Sequence, residues 1–225
     1  MILSIAAISE ADTLAEISAA IEKLEWQDGR ATAGKVAARV KDNSQAIMAS
    51  PAGRALAKML MPIVLDNPVV QAAVRPRRHS NLLVSKTQGG GHYGAHVDNA
   101  MMGKGDARIR TDVSFTLFLS DPADYEGGEL VVQTAGMTQS IKEALGHLIL
   151  YPSNSIHEVT PVTSGTRIVA VGWIESLIRN EAQRELLFDM QNTRASLSVK
   201  LPADAPELLM IDKSIANLMR MWAES

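Results

Sequence analysis

Leu14, Ile17, Ile21 and Leu24 recur at alternating three- and four-residue steps, the spacing that lines apolar side chains along one face of a helix. Ser9, three residues ahead of Asp12, is the expected N-cap of that helix, and Gly29 its expected end. Residues 30–44 are polar and irregular, with Gly29 and Gly34 as turn residues. A second helix is expected to open at Ser50-Pro51 and run through Leu56 and Leu60, because proline suits a first helical turn whose N–H has no partner. Pro62 or Pro68 then kinks or splits it. Ahead of both helices, residues 1–7 lack a basic flank and lead into Glu10 and Asp12, which predicts a strand and not a signal peptide.

From Asn81 the period changes. Residues 82–85 read as a strand, and Gly89-Gly90-Gly91 as a turn. Val113, Phe115, Leu117 and Leu119 alternate as on a half-buried strand, with Phe118 the one break in the alternation, and Asp121-Pro122 ends it. A tight turn at residues 126–129 leads into a strand at 130–133, and two more strands are expected at 147–151 and 167–171. Several short strands separated by turn signals predict a sandwich or a barrel-like roll. After Trp173 the helical period returns, first through Leu186, Leu187 and Met190, then through Leu208, Ile211, Ile215, Leu218 and Trp222. The expected class is α+β: an N-terminal strand and helical scaffold over residues 1–80, a β core over 81–176 and a C-terminal helical extension over 177–225.

Composition narrows the function more than the fold. The chain has 225 residues, 46% of them hydrophobic, enough for one domain with a substantial core. Its 22 basic and 25 acidic residues leave no electrostatic footprint for nucleic acid or an anionic membrane surface. The absence of cysteine excludes disulfides, thiolate-bound zinc and a cysteine nucleophile, and it fits the cytoplasm. No apolar run is long enough to span a bilayer.

The candidate chemistry lies in His96-Val97-Asp98. Alternate side chains of an extended segment share a face, so His96 and Asp98 can enter one cavity. His157, on a later strand-end loop, can join them in a roll. Two imidazoles and one carboxylate occupy one face of an octahedral Fe(II) and leave the other face open. A single histidine is more often an ordinary half-buried polar residue; the combination changes the odds. Zinc is not excluded by such a ligand set, although the helical His-Glu-x-x-His string does not occur. Arg167, a short strand beyond His157, favours iron, because a planar guanidinium matches the carboxylate of a dicarboxylate co-substrate bidentately.

The run from Tyr93 through His96 and Asp98 to Met101 resembles the bacterial PKHD-type hydroxylases, named after prolyl and lysyl hydroxylase domains, of the Fe(II)/2-oxoglutarate-dependent dioxygenase superfamily. So do Arg110-Thr111-Asp112, the strand over 116–120, Gly127-Gly128-Glu129-Leu130, Leu150-Tyr151-Pro152-Ser153, Val159-Thr160-Pro161-Val162, Trp26-Gln27-Asp28-Gly29, Thr32-Ala33-Gly34 and Leu186-Leu187-Phe188-Asp189. The resemblance covers nearly the whole chain. It implies a double-stranded β-helix (jelly-roll) core, Fe(II), 2-oxoglutarate and O₂, with L-ascorbate as reductant. Residue by residue, His96, Asp98 and His157 match the metal ligands and Arg167 the co-substrate residue; Tyr93 is expected to add a hydrogen bond there. Asp98 favours hydroxylation, since related halogenases lack this carboxylate. Val171-Gly172 before Trp173 departs from the bulkier aromatic residues common in the family.

The expected partners are a small-molecule or peptidyl substrate and O₂, with the Met-rich C-terminal helices as a surface for homo-oligomerisation. The resemblance also suggests a link to iron homeostasis. Residues 101–110 read equally as a lid or a surface loop, Asn99 and the glycine stretch as the cavity entrance, His79, His92 and His147 as surface or turn residues, and the cluster of Arg75, Arg77, Arg78 and His79 as a solvated face or an attractor for an anionic substrate. A non-catalytic iron and 2-oxoglutarate sensor on the same fold is the alternative, with a cupin-like metalloenzyme that ignores 2-oxoglutarate as a third reading.

Overall fold

A computed structural model describes residues 1–32 and 37–224. Strand β1 (Leu3–Ala6) and helix α1 (Ala11–Ile21) form where the hydrophobic pattern places them. Glu10, not Ser9, is the N-cap, and the Ser9 hydroxyl bonds the Glu10 carboxylate at 3.0 Å instead of a helix N–H. The stretch read as irregular contains β3 (Lys41–Asp42) and runs into β4 (Ser44–Ala46), and β2 (Trp26–Asp28) precedes it. Gly29 donates its N–H to Asn43 beside β2 and does not end α1. Ala33 and Gly34 lie outside the described residues.

Helix α2 (Pro51–Leu65) is capped as expected, the Ser50 hydroxyl accepting the Gly53 N–H at 3.0 Å. Pro62 is carried inside it, and the break comes at Asn67, which caps α3 (Pro68–Ala73). The roll then runs through β5 (Pro76–His79), β6 (Leu83–Gln88), β7 (His92–His96), β8 (Met101–Met102), β9 (Ile109–Arg110), β10 (Val113–Phe118), β11 (Tyr125–Gly127), β12 (Leu130–Thr134), β13 (Met137–Ile141), β14 (His147–Pro152), β15 (Ile156–Val159) and β16 (Val162–Ser176). Helices α4 (Glu181–Ser198) and α5 (Pro206–Trp222) close the chain.

The strands pair antiparallel in two main sheets. The larger has the order β1-β14-β10-β16-β6-β4-β2, with β5 and β11 also on β16; the smaller is β13-β12-β15-β7-β3. This is the jelly-roll core expected from the resemblance, with helices outside it. N-terminal strands enter the larger sheet directly, β1 beside β14 and β4 beside β6.

Strand β10 explains the break at Phe118. Every residue of β10 is buried, so its two faces look into two cores rather than into core and solvent. Val113, Phe115 and Leu117 pack with Leu56, Leu60 and Val64 of α2. Phe118 turns to the other side and packs with Leu130, Val132, Ile149, Tyr151 and Val169 between the sheets. Ser114 and Thr116 share that inner face by strand alternation. Gly172 is opposite Phe115 in the register, and a Cβ there would stand 2.7 Å from the Phe115 ring. The departure at Val171-Gly172 thus makes room for Phe115. Among the described residues no helix is long and apolar enough to cross a membrane.

Candidate active site

His96 ends β7, and its register partner on the neighbouring strand β15 is His157. The two ring centroids are 4.3 Å apart. Asp98 follows β7 by one extended step, and one ligand atom from each of the three residues lies within 4.8 Å of the others. The imidazole Nδ1 atoms face backbone carbonyls, that of His96 at Gly94 (2.8 Å) and that of His157 at Ser155 (3.0 Å). Carbonyls only accept, so both Nδ1 atoms carry hydrogen and both Nε2 lone pairs are free to bind a cation. The Nε2 of His157 is 3.7 Å from the Asp98 carboxylate. Burial, reinforced by His157, pulls His96 down to about 4, so it is a neutral donor at ordinary pH. The donor set therefore fits a divalent metal ion such as Fe(II).

Arg167 lies in the same cavity and is only 2% exposed. Its guanidinium carbon stands 5.4 Å from the Phe118 ring centroid, and among the described residues its Nε meets no hydrogen-bond acceptor. Burial works against its charge, with Tyr125 and Tyr151 acting in the opposite direction. A buried cation so placed is suited to an entering anion. This fits a dicarboxylate with one end at the metal group and the other at Arg167.

Tyr93 is stacked on His96, with centroids 3.7 Å apart and an interplanar angle of 18°. Burial, then the nearby Asp98, pushes its hydroxyl up to about 12, so it remains a hydrogen donor. Asn99 and Met102 also line the cavity. The glycine stretch instead makes the β6–β7 turn, with Gly89 and Gly90 at φ of 61° and 85°. Residues 101–110 form a hairpin, β8 on β9, and Thr111 ties its base to the Asn99 carbonyl at 2.7 Å.

Sequence reasoning missed one wall of the cavity. Lys41, Asn43 and Gln45 line it together with Ser85 and Thr87 of β6. Lys41 and Gln45 are buried, and the Lys41 ammonium is 5.0 Å from the Tyr93 ring centroid. The available signal was period two: residues 41, 43 and 45 share a face, but all are polar and the strands are too short to register as such. The arginine group is also less solvated than expected. Arg75 bonds Gln191 at 2.6 Å, Arg77 pairs with Glu175 at 3.4 Å, and Arg78 donates to the Arg108 carbonyl at 2.9 Å. His79 is exposed, and His147 is 3.3 Å from Glu143.

Residues 82–175 match the family model of the 2OG-Fe(II) oxygenase superfamily, and residues 181–224 that of the PKHD-type hydroxylase C-terminal domain. The chain is 49% identical to a PKHD-type hydroxylase of Hyphomonas neptunium over 95% of each chain. The chain belongs to the PKHD-type hydroxylases. A second member, from Gloeothece citriformis, is 44% identical over the full length of both chains. This PKHD-type hydroxylase is accordingly an enzyme of the 2-oxoglutarate-dependent dioxygenase superfamily, whose members use Fe(II) and 2-oxoglutarate.

Solved structures agree on the fold. A Trichoplax adhaerens prolyl hydroxylase, solved with a hypoxia inducible factor peptide fragment, superposes with a TM-score of 0.59 at 16% identity, over 82% of this chain and 86% of that one. HygX of Streptomyces hygroscopicus, solved with nickel and 2-oxoglutarate bound, gives 0.53 at 15% identity, over 79% and 84%.

Proposed function

We propose that this PKHD-type hydroxylase inserts a hydroxyl group into a small-molecule or peptidyl substrate, converting 2-oxoglutarate and O₂ to succinate and CO₂. The observation that carries the reading is the convergence of His96, Asp98 and His157 in one cavity with the buried Arg167. In it His96, Asp98 and His157 hold Fe(II), and Arg167 and Tyr93 hold 2-oxoglutarate. When bound, Fe(II) with 2-oxoglutarate and O₂ supplies the oxidising power that protein side chains lack.

The chain's own residues bind, orient and shield. The two imidazoles present Nε2 because backbone carbonyls hold their Nδ1 hydrogens. Arg167 would hold the distal carboxylate of the co-substrate through a charge-assisted contact. The Tyr93 hydroxyl would donate a further hydrogen bond to the co-substrate, while its ring packs flat on His96 and limits that side chain's rotation. Leu130, Val159, Val169 and Val171 line the cavity with apolar surface that limits water. Asp98 supplies the carboxylate whose presence favours hydroxylation.

L-Ascorbate, as the reductant that keeps the metal ferrous, is part of the proposal, as are a cytoplasmic location and a link to iron homeostasis; the family resemblance supports the reductant and the iron link, and the absence of cysteine fits the location. Leu209, Met210 and Met221, exposed on α5, support homo-oligomerisation through the C-terminal helices.

The test is anaerobic titration of the Fe(II)-loaded protein with 2-oxoglutarate, followed by its visible charge-transfer absorption, and then succinate analysis after admission of O₂ with candidate substrates. A band that is lost in His157→Ala and weakened in Arg167→Ala is the expected result. No band in well-loaded wild-type protein would overturn the reading, and binding without succinate across diverse substrates would replace the enzyme with a sensor.

A further inference from the structure

We propose that Ser114 and Ser153 form a positioning pair for Asp98, holding its carboxylate in one orientation so that it meets the metal through a single oxygen. The inference rests on the assignment of Asp98 as a ligand. The Ser114 hydroxyl donates to Asp98 Oδ2 at 2.7 Å, and Ser153 Oγ lies 2.8 Å from Ser114 Oγ. A serine hydroxyl has one hydrogen, and that of Ser114 goes to the carboxylate. Ser153 must therefore be the donor to Ser114. The chain runs Ser153 to Ser114 to Asp98, each bond polarising the next toward the carboxylate.

Its placement in the fold points to a role at the ligand. Ser114 is on β10 and Ser153 follows β14, both in the larger sheet, whereas Asp98 follows β7 of the smaller sheet. The relay thus fixes a side chain from a rim segment against the opposite sheet. Thr111 holds the backbone of that segment, donating to the Asn99 carbonyl at 2.7 Å and the Ala100 carbonyl at 3.1 Å, and the relay holds the Asp98 side chain. The turn that carries Ser153 leads straight to His157, so it serves two of the three candidate ligands. Ser114 and Ser153 are 1% and 2% exposed. A hydroxyl pair in such surroundings has little net value for folding, because replacing both partners with apolar groups is close to neutral. Its value lies in the third member, the carboxylate.

The chemical consequence concerns open coordination positions. A carboxylate free to turn can chelate through both oxygens and take a position that the co-substrate or O₂ needs. A hydrogen bond to Oδ2 opposes that rotation. Partners of this kind, one shell beyond a metal ligand, commonly contribute about 10–100-fold to metal affinity.

The test uses the full-length apo protein and Mn(II), with free Mn(II) counted by electron paramagnetic resonance, and Co(II) absorption as the readout of coordination. Ser114→Ala is expected to weaken Mn(II) binding about 10–100-fold and to change the intensity of the Co(II) bands, and, because Ser153 and Asp98 each lose a buried partner, to lower apo Tm as well. Ser153→Ala leaves the direct bond to Asp98 in place and is expected to weaken binding by a smaller factor, roughly three- to tenfold. If Ser114→Ala does not fold, Ser153→Ala decides alone. Affinity within about twofold of wild type together with an unchanged Co(II) spectrum overturns the positioning role. His157→Ala separates the two levels: if it binds Mn(II) as wild type does, the ligand assignment fails and the positioning role with it. Binding that depends on His157 but ignores both serines overturns the positioning role alone.

Discussion

His96 and His157 are direct register partners on adjacent antiparallel strands, and their ring centroids are 4.3 Å apart. Backbone pairing places them side by side. In the apo protein two nitrogen lone pairs and a carboxylate are crowded into a half-dry space, an arrangement that favours binding over stability. Replacing His157 with Ala is therefore expected to leave apo Tm at or above the wild-type value. Wild type should gain several degrees of Tm in Mn(II) at about 100 times Kd, which corresponds to about 2.7 kcal/mol of linkage, and His157→Ala should gain none. Differential scanning fluorimetry with and without Mn(II) checks both. A large loss of apo Tm in the variant would contradict the argument.

Gly128 sets the space for Arg167. It sits at φ +69°, where a side chain is strained, and a Cβ there would be 2.8 Å from both Arg167 Cδ and Val162 Cγ2. Gly128→Ala is expected to lower stability by about 1–2 kcal/mol through the backbone alone. It should also push the guanidinium aside and weaken 2-oxoglutarate binding at least tenfold at a temperature where the variant is fully folded. Titration calorimetry on the metal-loaded protein measures this. Unchanged affinity would mean that Arg167 tolerates displacement or does not hold the co-substrate.

Lys41 gives a pH dependence with a definite sign. Burial pulls its ammonium down to about 8, with Asp28 acting weakly in the opposite direction. Between pH 8 and its unfolded value near 10.5, the unfolded chain binds more protons than the folded one, so stability contributed by this residue rises with pH across that window. Below pH 8 the cost of burying the charge is present in full. Lys41→Met should consequently have the higher Tm at pH 7, and its advantage should shrink as pH rises from 8 to 10.5. Thermal unfolding of both proteins across that range tests it; a difference that stays constant with pH would contradict the assignment.

What could be read from the chain follows from how each feature is encoded. Ser50-Pro51 marks a helix start because the cap and the proline act locally, and the structure keeps both. Ser9 failed as a cap because its hydroxyl found the Glu10 carboxylate first. The strand over 113–118 was legible from its apolar content, yet Phe118 read as an irregularity because alternation assumes one wet face and β10 has none. Strand β5 was hidden by its composition, Pro-Arg-Arg-His, and forms because the long β16 offers it an edge. The spacing of His96, Asp98 and His157 with Arg167 was visible as chemistry. The Lys41 wall and the Ser114–Ser153 relay were not, since short polar strands and buried hydroxyls gain meaning only through partners distant in sequence.

Arg110 locks the hairpin at the cavity rim to the end of the chain. Its guanidinium meets Asp112 through Nε at 2.7 Å and Nη2 at 3.0 Å, reaches Glu224 at 2.7 Å and donates to the Ser176 carbonyl at 3.1 Å. The Asp112 side chain is 8% exposed and the Glu224 side chain 39%. These partners differ in what their loss leaves behind. Without Arg110, the carboxylate of Asp112 stays buried with, among the described residues, only the Ser176 N–H to bond it, so Arg110→Ala should cost about 3 kcal/mol or more and lower Tm by roughly 6–12 °C. Without Glu224, Arg110 keeps its bidentate partner and the lost pair is screened by water, so Glu224→Ala should cost under about 1 kcal/mol. Chemical denaturation of the two single variants and the double variant measures the coupling. Equal losses from the two single changes would show that the chain end, and not the buried Arg110–Asp112 pair, holds the rim.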